Sequence, residues 1–139
     1  MTDIDLSDLA ADRDGSRKLR GYLASPAGTG PWPAVVMIHE IFGLDDVMRR
    51  HADHLAGLGY LTLAVDLFSA GSTARCLVAT MTAMIRGHGR AFADIGAARD
   101  YLAGSGDCTG KIGVIGFCMG GGFALLHASD GYEIGRAHV

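Results

Sequence analysis

The feature that most constrains the fold is a cysteine between glycines that follows an apolar run without any loop. The run from Ile112 to Phe117 carries no charge and leads directly into Cys118 to Gly122, after which apolar residues continue to about Ala128. Such a run predicts a buried strand, and the residues after it predict a helix. A strand, a sharp turn and a helix in direct succession are typical of α/β proteins.

The spacing of this turn is that of a nucleophile elbow, G-x-nucleophile-x-G, with Cys118 at its centre between Gly116 and Gly120. The central residue must adopt a strained conformation that lifts its side chain above the sheet. A side chain at either glycine would collide with the neighbouring strand or helix. At the start of the following helix, free N–H groups and the helix dipole stabilise a thiolate and an oxyanion. Cys118 is therefore the candidate nucleophile; the alternative is a small buried hydrophobe beside glycines that only allow close packing.

Two further apolar runs predict buried strands, Ala34 to Ile38 and Tyr60 to Val65, with a helix from about Asp46 to Ala56 between them. Asp45 or Asp46 can cap this helix, and Gly57 or Gly59 can end it. Its predicted inner face consists of Val47, Ala52, Leu55 and Ala56. Two more helices are predicted on either side of Gly87 and Gly89. The alternation predicts a mostly parallel, three-layer α/β sheet.

Turn residues divide the segment before the first of these strands. Asp14-Gly15 predicts an antiparallel hairpin whose arms are Leu9 to Ala11 and Lys18 to Ala24. Ser25 to Pro33 contains all three prolines and predicts a loop, and Asp107 to Gly110 predicts a turn into the last strand.

Composition excludes several classes of function. The 139 residues are 49% hydrophobic and 19% charged, which suits one domain, and the net charge of -3 offers no basic patch for nucleic acid or an anionic membrane. We expect a small neutral or weakly charged ligand.

No secretory signal or membrane span is predicted. Three cysteines without CxxC spacing indicate neither disulfides nor a zinc ribbon, so a cytoplasmic location is expected. This turn contains no Gly-Lys-Ser/Thr and no G-x-G-x-x-G in register, which argues against nucleotide binding.

Three motifs together resemble the dienelactone hydrolase family. They are His39-Glu40-Ile41-Phe42-Gly43-Leu44 after the first parallel strand, then Val65-Asp66-Leu67-Phe68, then Gly116-Phe117-Cys118-Met119-Gly120-Gly121. The order and separations are compatible with that family from about Leu19 to Ala128. The resemblance implies an α/β-hydrolase fold and hydrolysis of lactones or small carboxylic esters, of the carboxymethylenebutenolidase type.

The resemblance also implies roles for individual residues. Cys118 is the nucleophile, the N–H groups of Met119 and Ile41 form the oxyanion hole, and Glu40 is the carboxylate that contacts the thiol and helps to generate the thiolate. A solvated carboxylate at a strand end is the structural alternative for Glu40. His39 is expected to orient a loop by hydrogen bonding rather than to act as a base. The implied chemistry requires no metal and no organic cofactor.

Histidines elsewhere offer little support for a metal site. His39-Glu40 is not part of HExxH, since position 43 is glycine. His51 and His54 lie three residues apart on a predicted helix, but no third ligand is apparent.

The sequence departs from the family at two places. In this fold the acid and the histidine follow the nucleophile on later strand-end loops, and a strand with its crossover takes ~30 residues, whereas 21 residues follow Cys118. Asp130 and His138 are therefore not assigned to the triad. After Leu67 the sequence reads Phe68-Ser69-Ala70, where the family places a Tyr and an Arg that hold a substrate carboxylate.

These departures lead to expectations about the whole chain. We expect residues 1–139 to form a single, C-terminally truncated α/β-hydrolase domain that is inactive without its downstream Asp and His. The polar and glycine-broken stretch from about 129 to 139 is expected to be a foreign or frame-shifted tail without another apolar strand. Two alternatives remain open: a thiol-based redox or binding module centred on Cys118, and an incomplete domain without activity.

Overall fold

The structure of the chain is a computed structural model. It describes residues 1–128 and the backbone of residues 135–138. This part of the chain contains six strands and five helices. In chain order they are β1 (Thr2–Asp5), α1 (Ser7–Ala11), β2 (Arg20–Ala24), β3 (Trp32–Ile38), α2 (Asp46–Gly57), β4 (Leu61–Asp66), α3 (Thr73–Arg86), α4 (Arg90–Gly104), β5 (Cys108–Phe117), α5 (Met119–His127) and β6 (Gly135–His138).

All six strands belong to one open sheet, in the order β1-β2-β4-β3-β5-β6. β4, β3, β5 and β6 run parallel, whereas β2 pairs antiparallel with β4 and with β1. Ile38 at the end of β3 is in register with Val65 on one side and Gly116 on the other. The carboxyl ends of β4, β3 and β5 therefore meet at one edge of the sheet, where ligands bind in open α/β sheets.

Two hydrophobic clusters cover the two faces of the sheet. On β3, Val36 and Ile38 belong to the larger cluster with α4 and α5, and Met37 belongs to the smaller cluster with α2. This division follows from the strand geometry, since successive side chains point to opposite faces. Each large apolar side chain buried in this way contributes about 1.5–3 kcal/mol. The predicted three-layer, mostly parallel arrangement is confirmed.

The helix between the first two parallel strands begins and ends where the sequence indicates. The Asp45 side chain accepts a hydrogen bond from the Met48 N–H at 3.0 Å, and Gly59 has a φ of +100° just after the helix. The predicted inner face was wrong at one position: Val47 is 42% exposed, whereas Met48 is buried. Ala52, Leu55 and Ala56 pack against the sheet as predicted, so the difference is confined to the first turn of the helix.

The predicted N-terminal hairpin was wrong in its first arm. Leu9 to Ala11 lies in α1, and the strand that pairs with β2 is β1. The Asp5 carboxylate accepts from the Ser7 N–H at 2.8 Å and so begins the helix. Ala10 is completely buried, and the helix packs against α4.

Smaller differences concern the beginnings of two strands. β3 starts at Trp32 inside the predicted loop, because the Trp32 N–H donates to the Asp107 carbonyl at 2.8 Å. β5 starts at Cys108 inside the predicted turn. The two predicted helices after β4 are confirmed as α3 and α4, separated by Gly87 with a φ of +73°.

The backbone of 135–138 forms a further strand after α5, which the polar and glycine-broken pattern did not indicate. This segment forms β6, parallel to β5, with Phe117 paired to His138. Backbone pairing needs no apolar side chains, which is why a hydrophobic pattern alone did not indicate it. Residues 129–134 and 139 lie outside the described residues, and the foreign origin of this tail stays a prediction. In the part of the chain that the structure describes, no helix is long and apolar enough to cross a membrane.

Candidate active site

Cys118 lies at the junction of β5 and α5 in the strained conformation that an elbow requires. Its φ is +52° and its ψ is -110°, and its side chain is exposed. Positive φ is uncommon for a residue other than glycine, asparagine or aspartate, and such strain persists only where the surroundings enforce it. The strain and the exposure together argue against the alternative in which Cys118 is a small buried hydrophobe.

The two flanking glycines enforce the turn. A Cβ on Gly116 would overlap the carbonyl oxygen of Gly120, and a Cβ on Gly120 would overlap the carbonyl oxygen of Ile38 in β3. Both predicted collisions are thus confirmed, one with the helix and one with the neighbouring strand. The glycines let α5 begin directly against the ends of β5 and β3.

The first turn of α5 is formed around the Cys118 carbonyl. That oxygen accepts from the N–H of Gly121 at 2.9 Å and from the N–H of Gly122 at 3.3 Å. Met119 is the first helical residue, and its side chain is buried. The N–H of a first helical residue has no acceptor within its own helix. Its donor is therefore available beside the thiol.

Glu40 and Ile41 lie at the same edge of the sheet as Cys118. Because Ile38 and Gly116 are paired across parallel strands, Glu40 and Cys118 each lie two residues beyond a paired position, on strands that are neighbours ~4.8 Å apart. Glu40 is partly buried and Ile41 is 40% exposed. The sheet thus places the segment that carries Glu40 and Ile41 and the segment that carries Cys118 and Met119 at the same edge.

His39 connects two loops at this edge. Its Nδ1 lies 2.7 Å from the Glu40 carbonyl oxygen, and its Nε2 lies 3.0 Å from the backbone nitrogen of Leu67. An N–H of Leu67 can only donate, so Nε2 is the acceptor and the ring proton is on Nδ1. The His39 ring also packs against the Phe68 ring in an edge-to-face arrangement, with ring centroids 4.7 Å apart. These contacts agree with the predicted role of His39 as a loop-orienting residue.

The partners of His39 could not have been found from the sequence. Leu67 contributes only its backbone, and Phe68 contributes a ring that also packs within 3.1 Å of where a Cβ on Gly43 would lie. The only available signal was the position of His39 at one strand end and of Asp66-Leu67 at the next.

Burial lowers the pKa of His39 from its ordinary value of 6.5, against the opposing influence of the Glu40 hydrogen bond and of Asp66, Asp45 and Glu40 nearby. Since the folded-state pKa lies below the unfolded value, the folded chain disfavours the proton. Stability that is fully present above pH 6.5 is therefore lost as the pH falls from 6.5 toward the folded-state pKa, by up to about 1.4 kcal/mol per pH unit. Urea unfolding at pH 7.5 and 5.5 measures this. A His39→Gln chain should lose less free energy of unfolding between these two pH values. An equal loss in both chains would contradict the attribution of this pH dependence to His39.

The other histidines and cysteines do not extend the site. His51 stacks on Phe117, with ring centroids 5.1 Å apart, and so helps to hold α2 against the strand that carries the elbow. Cys76 is buried, and its thiol lies 3.7 Å from the Phe68 carbonyl oxygen. Among the described residues, no group of three or more His, Cys, Asp or Glu side chains is placed to hold a metal ion.

A mostly parallel sheet with helices on both faces, and a strained cysteine between β5 and the next helix, define the α/β-hydrolase class. The profile of the dienelactone hydrolase family matches residues 19–139. The chain belongs to the dienelactone hydrolase family.

Similar proteins agree with this assignment. The chain is 30% identical over 125 residues to the carboxymethylenebutenolidase of Pseudomonas putida, covering 81% of this chain and 51% of the relative. It is 29% identical over 133 residues to the carboxymethylenebutenolidase of Pseudomonas sp. (strain P51), covering 89% of this chain and 56% of the relative. The chain spans about half the length, or less, of the curated relatives it matches.

Solved structures show the same fold. The structure of m3DLH superimposes with a TM-score of 0.71 at 30% identity, covering 90% of this chain and 54% of that one. A dienelactone hydrolase-like promiscuous phosphotriesterase from metagenomic libraries gives a TM-score of 0.69 at 29% identity, covering 84% of this chain and 51% of that one.

Proposed function

We propose that this chain supplies the nucleophile and the oxyanion hole of a hydrolase that acts on lactones or small carboxylic esters. The observation that carries the proposal is the exposed Cys118 at a φ of +52°, held between β5 and α5 at the edge where Glu40 and Ile41 also lie. The names of the Pseudomonas carboxymethylenebutenolidases support a lactone as substrate class.

In the proposed reaction the Cys118 thiolate attacks the carbonyl carbon of the substrate. The carbonyl π electrons move to oxygen, and the N–H groups of Met119 and Ile41 donate to the resulting oxyanion. Collapse of this intermediate reforms the carbonyl and breaks its bond to the alcohol oxygen, which takes up the proton that Glu40 accepted from the thiol. A thioester on Cys118 remains. Glu40 favours the thiolate by accepting the thiol proton before attack.

Water must then hydrolyse the thioester, and this step needs a base. In the α/β-hydrolase order that base is a histidine on a later loop. His39 is unsuited to this step. Its Nε2 already accepts a hydrogen bond from the Leu67 N–H, and its Nδ1–H donates to the backbone carbonyl of Glu40. We therefore propose that the 139 residues alone form the thioester much faster than they release it.

Alkylation of the three cysteines tests whether the elbow produces a reactive thiol. At neutral pH, iodoacetamide is expected to modify Cys118 at least about tenfold faster than Cys108, because a helix N-terminus stabilises a thiolate. Cys76 should react slowest because it is buried. Peptide mapping by mass spectrometry gives the three rates in one sample. Equal rates at Cys118 and Cys108 would contradict the proposal.

A further inference from the structure

One peptide unit of the proposed oxyanion hole is held at its carbonyl end by two hydrogen bonds. The peptide between Glu40 and Ile41 carries the Glu40 carbonyl at one end and the Ile41 N–H at the other. Since a peptide unit is planar, whatever fixes the carbonyl also fixes the direction of the N–H. The Glu40 oxygen accepts from the Gly43 N–H at 3.1 Å and from the His39 Nδ1–H at 2.7 Å.

We propose that His39 is a positioning residue for catalysis: its Nδ1–H bond to the Glu40 carbonyl orients and polarises the peptide that donates the Ile41 N–H to the oxyanion. The inference rests on the proposed function and adds a residue that does not touch the substrate. A carbonyl that accepts a strong hydrogen bond draws electron density along its amide and makes the N–H at the other end a better donor.

The imidazole is itself held firmly enough to do this. It is 1% exposed, and its second nitrogen accepts from the Leu67 N–H at 3.0 Å. The ring is thus fixed between the loop after β3 and the loop after β4, with the edge of Phe68 beside it. A donor fixed before the reaction costs no reorganisation when charge develops in the transition state, which is the condition for strong electrostatic catalysis.

The surrounding charges do not replace this bond. Asp66 has a carboxylate oxygen 3.8 Å from Nε2, on the side of the ring away from the Glu40 carbonyl. Of the two donors to the Glu40 oxygen, only His39 comes from a side chain, since the other is the backbone of Gly43. Changing His39 is therefore the direct way to alter the oxyanion peptide without altering its backbone.

Two variants separate the functions of the two ring nitrogens. In His39→Asn, the amide nitrogen can take the place of Nδ1 and keep the donor to Glu40, while the contact with Leu67 is lost. In His39→Gln, the longer side chain can place its amide oxygen near the position of Nε2 and keep the acceptor for Leu67, while the donor to Glu40 is lost. Both replacements are polar amides, so each serves as the control for the other.

Each chain is assayed in two reactions of Cys118. The burst of nitrophenolate from nitrophenyl acetate reports acylation, which develops an oxyanion. Alkylation by iodoacetamide reports the thiolate, and it develops no oxyanion. We expect His39→Gln to lower the acylation rate about tenfold or more and to leave the alkylation rate within about twofold. Removal of a whole oxyanion donor lowers a rate by roughly 10²–10³-fold, and a donor that is only weakened should lower it less. His39→Asn should acylate within about threefold of the unmodified chain.

Other outcomes overturn the inference in distinguishable ways. The role of His39 is overturned if both variants lose acylation equally, or if His39→Gln loses none. In either case, fast acylation of the unmodified chain would still support the proposed function. An unmodified chain that neither acylates nor alkylates rapidly at Cys118 overturns both. If a variant fails to fold by circular dichroism, ¹⁵N NMR of the imidazole in the unmodified chain decides: a proton on Nε2 instead of Nδ1 would overturn the inference.

Discussion

A Cys118→Ala chain is expected to lose the nitrophenolate burst entirely, with acylation slower than that of the unmodified chain by about three orders of magnitude or more. The reason is that no other group at this edge of the sheet combines a nucleophile with the elbow. Cys108 lies at the beginning of β5, at the far end of the strand from Cys118, and Cys76 is buried under the loop after β4. Stopped-flow absorbance at the nitrophenolate wavelength measures the burst.

Cys108→Ala is the matched control for this substitution. It removes one thiol from the same strand and should keep both the burst and its amplitude of one nitrophenolate per chain. Circular dichroism should show that both variants are folded, since alanine at position 118 meets the same backbone strain as cysteine. A burst that survives in Cys118→Ala, or disappears in Cys108→Ala, would contradict the assignment of the nucleophile.

Gly116→Ala is expected to lower the free energy of unfolding by at least about 3 kcal/mol, which is the upper range for overpacking in a core. The added methyl group would overlap the Gly120 carbonyl oxygen, a backbone atom in the first turn of α5. A flexible side chain could move aside, but this carbonyl cannot move unless the helix shifts away from the sheet. Urea unfolding followed by circular dichroism measures the change, and Cys118 alkylation should slow in parallel.

Gly57→Ala provides the comparison, because it also adds one methyl group to a glycine but in open space. A Cβ at Gly57, the last residue of α2, would have no atom within 4 Å. Alanine favours a helix over glycine, so this change should be neutral or stabilising by up to about 1 kcal/mol. Similar losses in Gly116→Ala and Gly57→Ala would show that close approach is not the reason for glycine at the elbow.

The elbow and the parallel strands could be predicted because their signals are local. The conformation of Cys118 follows from two glycines at fixed spacing, and a buried parallel strand such as β3 reads as one continuous apolar run. The inward-facing residue in the first turn of α2 could not be predicted in the same way. Val47 and Met48 are both apolar neighbours, and only the packing of the helix on the sheet decides which of them is buried.

Structure that depends on distant backbone groups was harder to predict. The segment Leu9 to Ala11 is a leucine followed by two alanines and suits a strand or a helix; it forms a helix that packs against α4, far along the chain. The same holds for His39, whose partner Leu67 lies 28 positions away and contributes only an N–H. The sequence indicated that His39 was at the site but not which groups it connects.

The close approach of Gly120 to the Ile38 carbonyl also bears on how the protein is made. β3 is synthesised long before α5, so the turn around Cys118 can take its strained shape only after β5 has paired with β3 and the helix has docked. Contacts between segments so far apart in the chain form late in folding. The strained geometry on which the proposed nucleophile depends therefore forms only when the sheet around it is assembled.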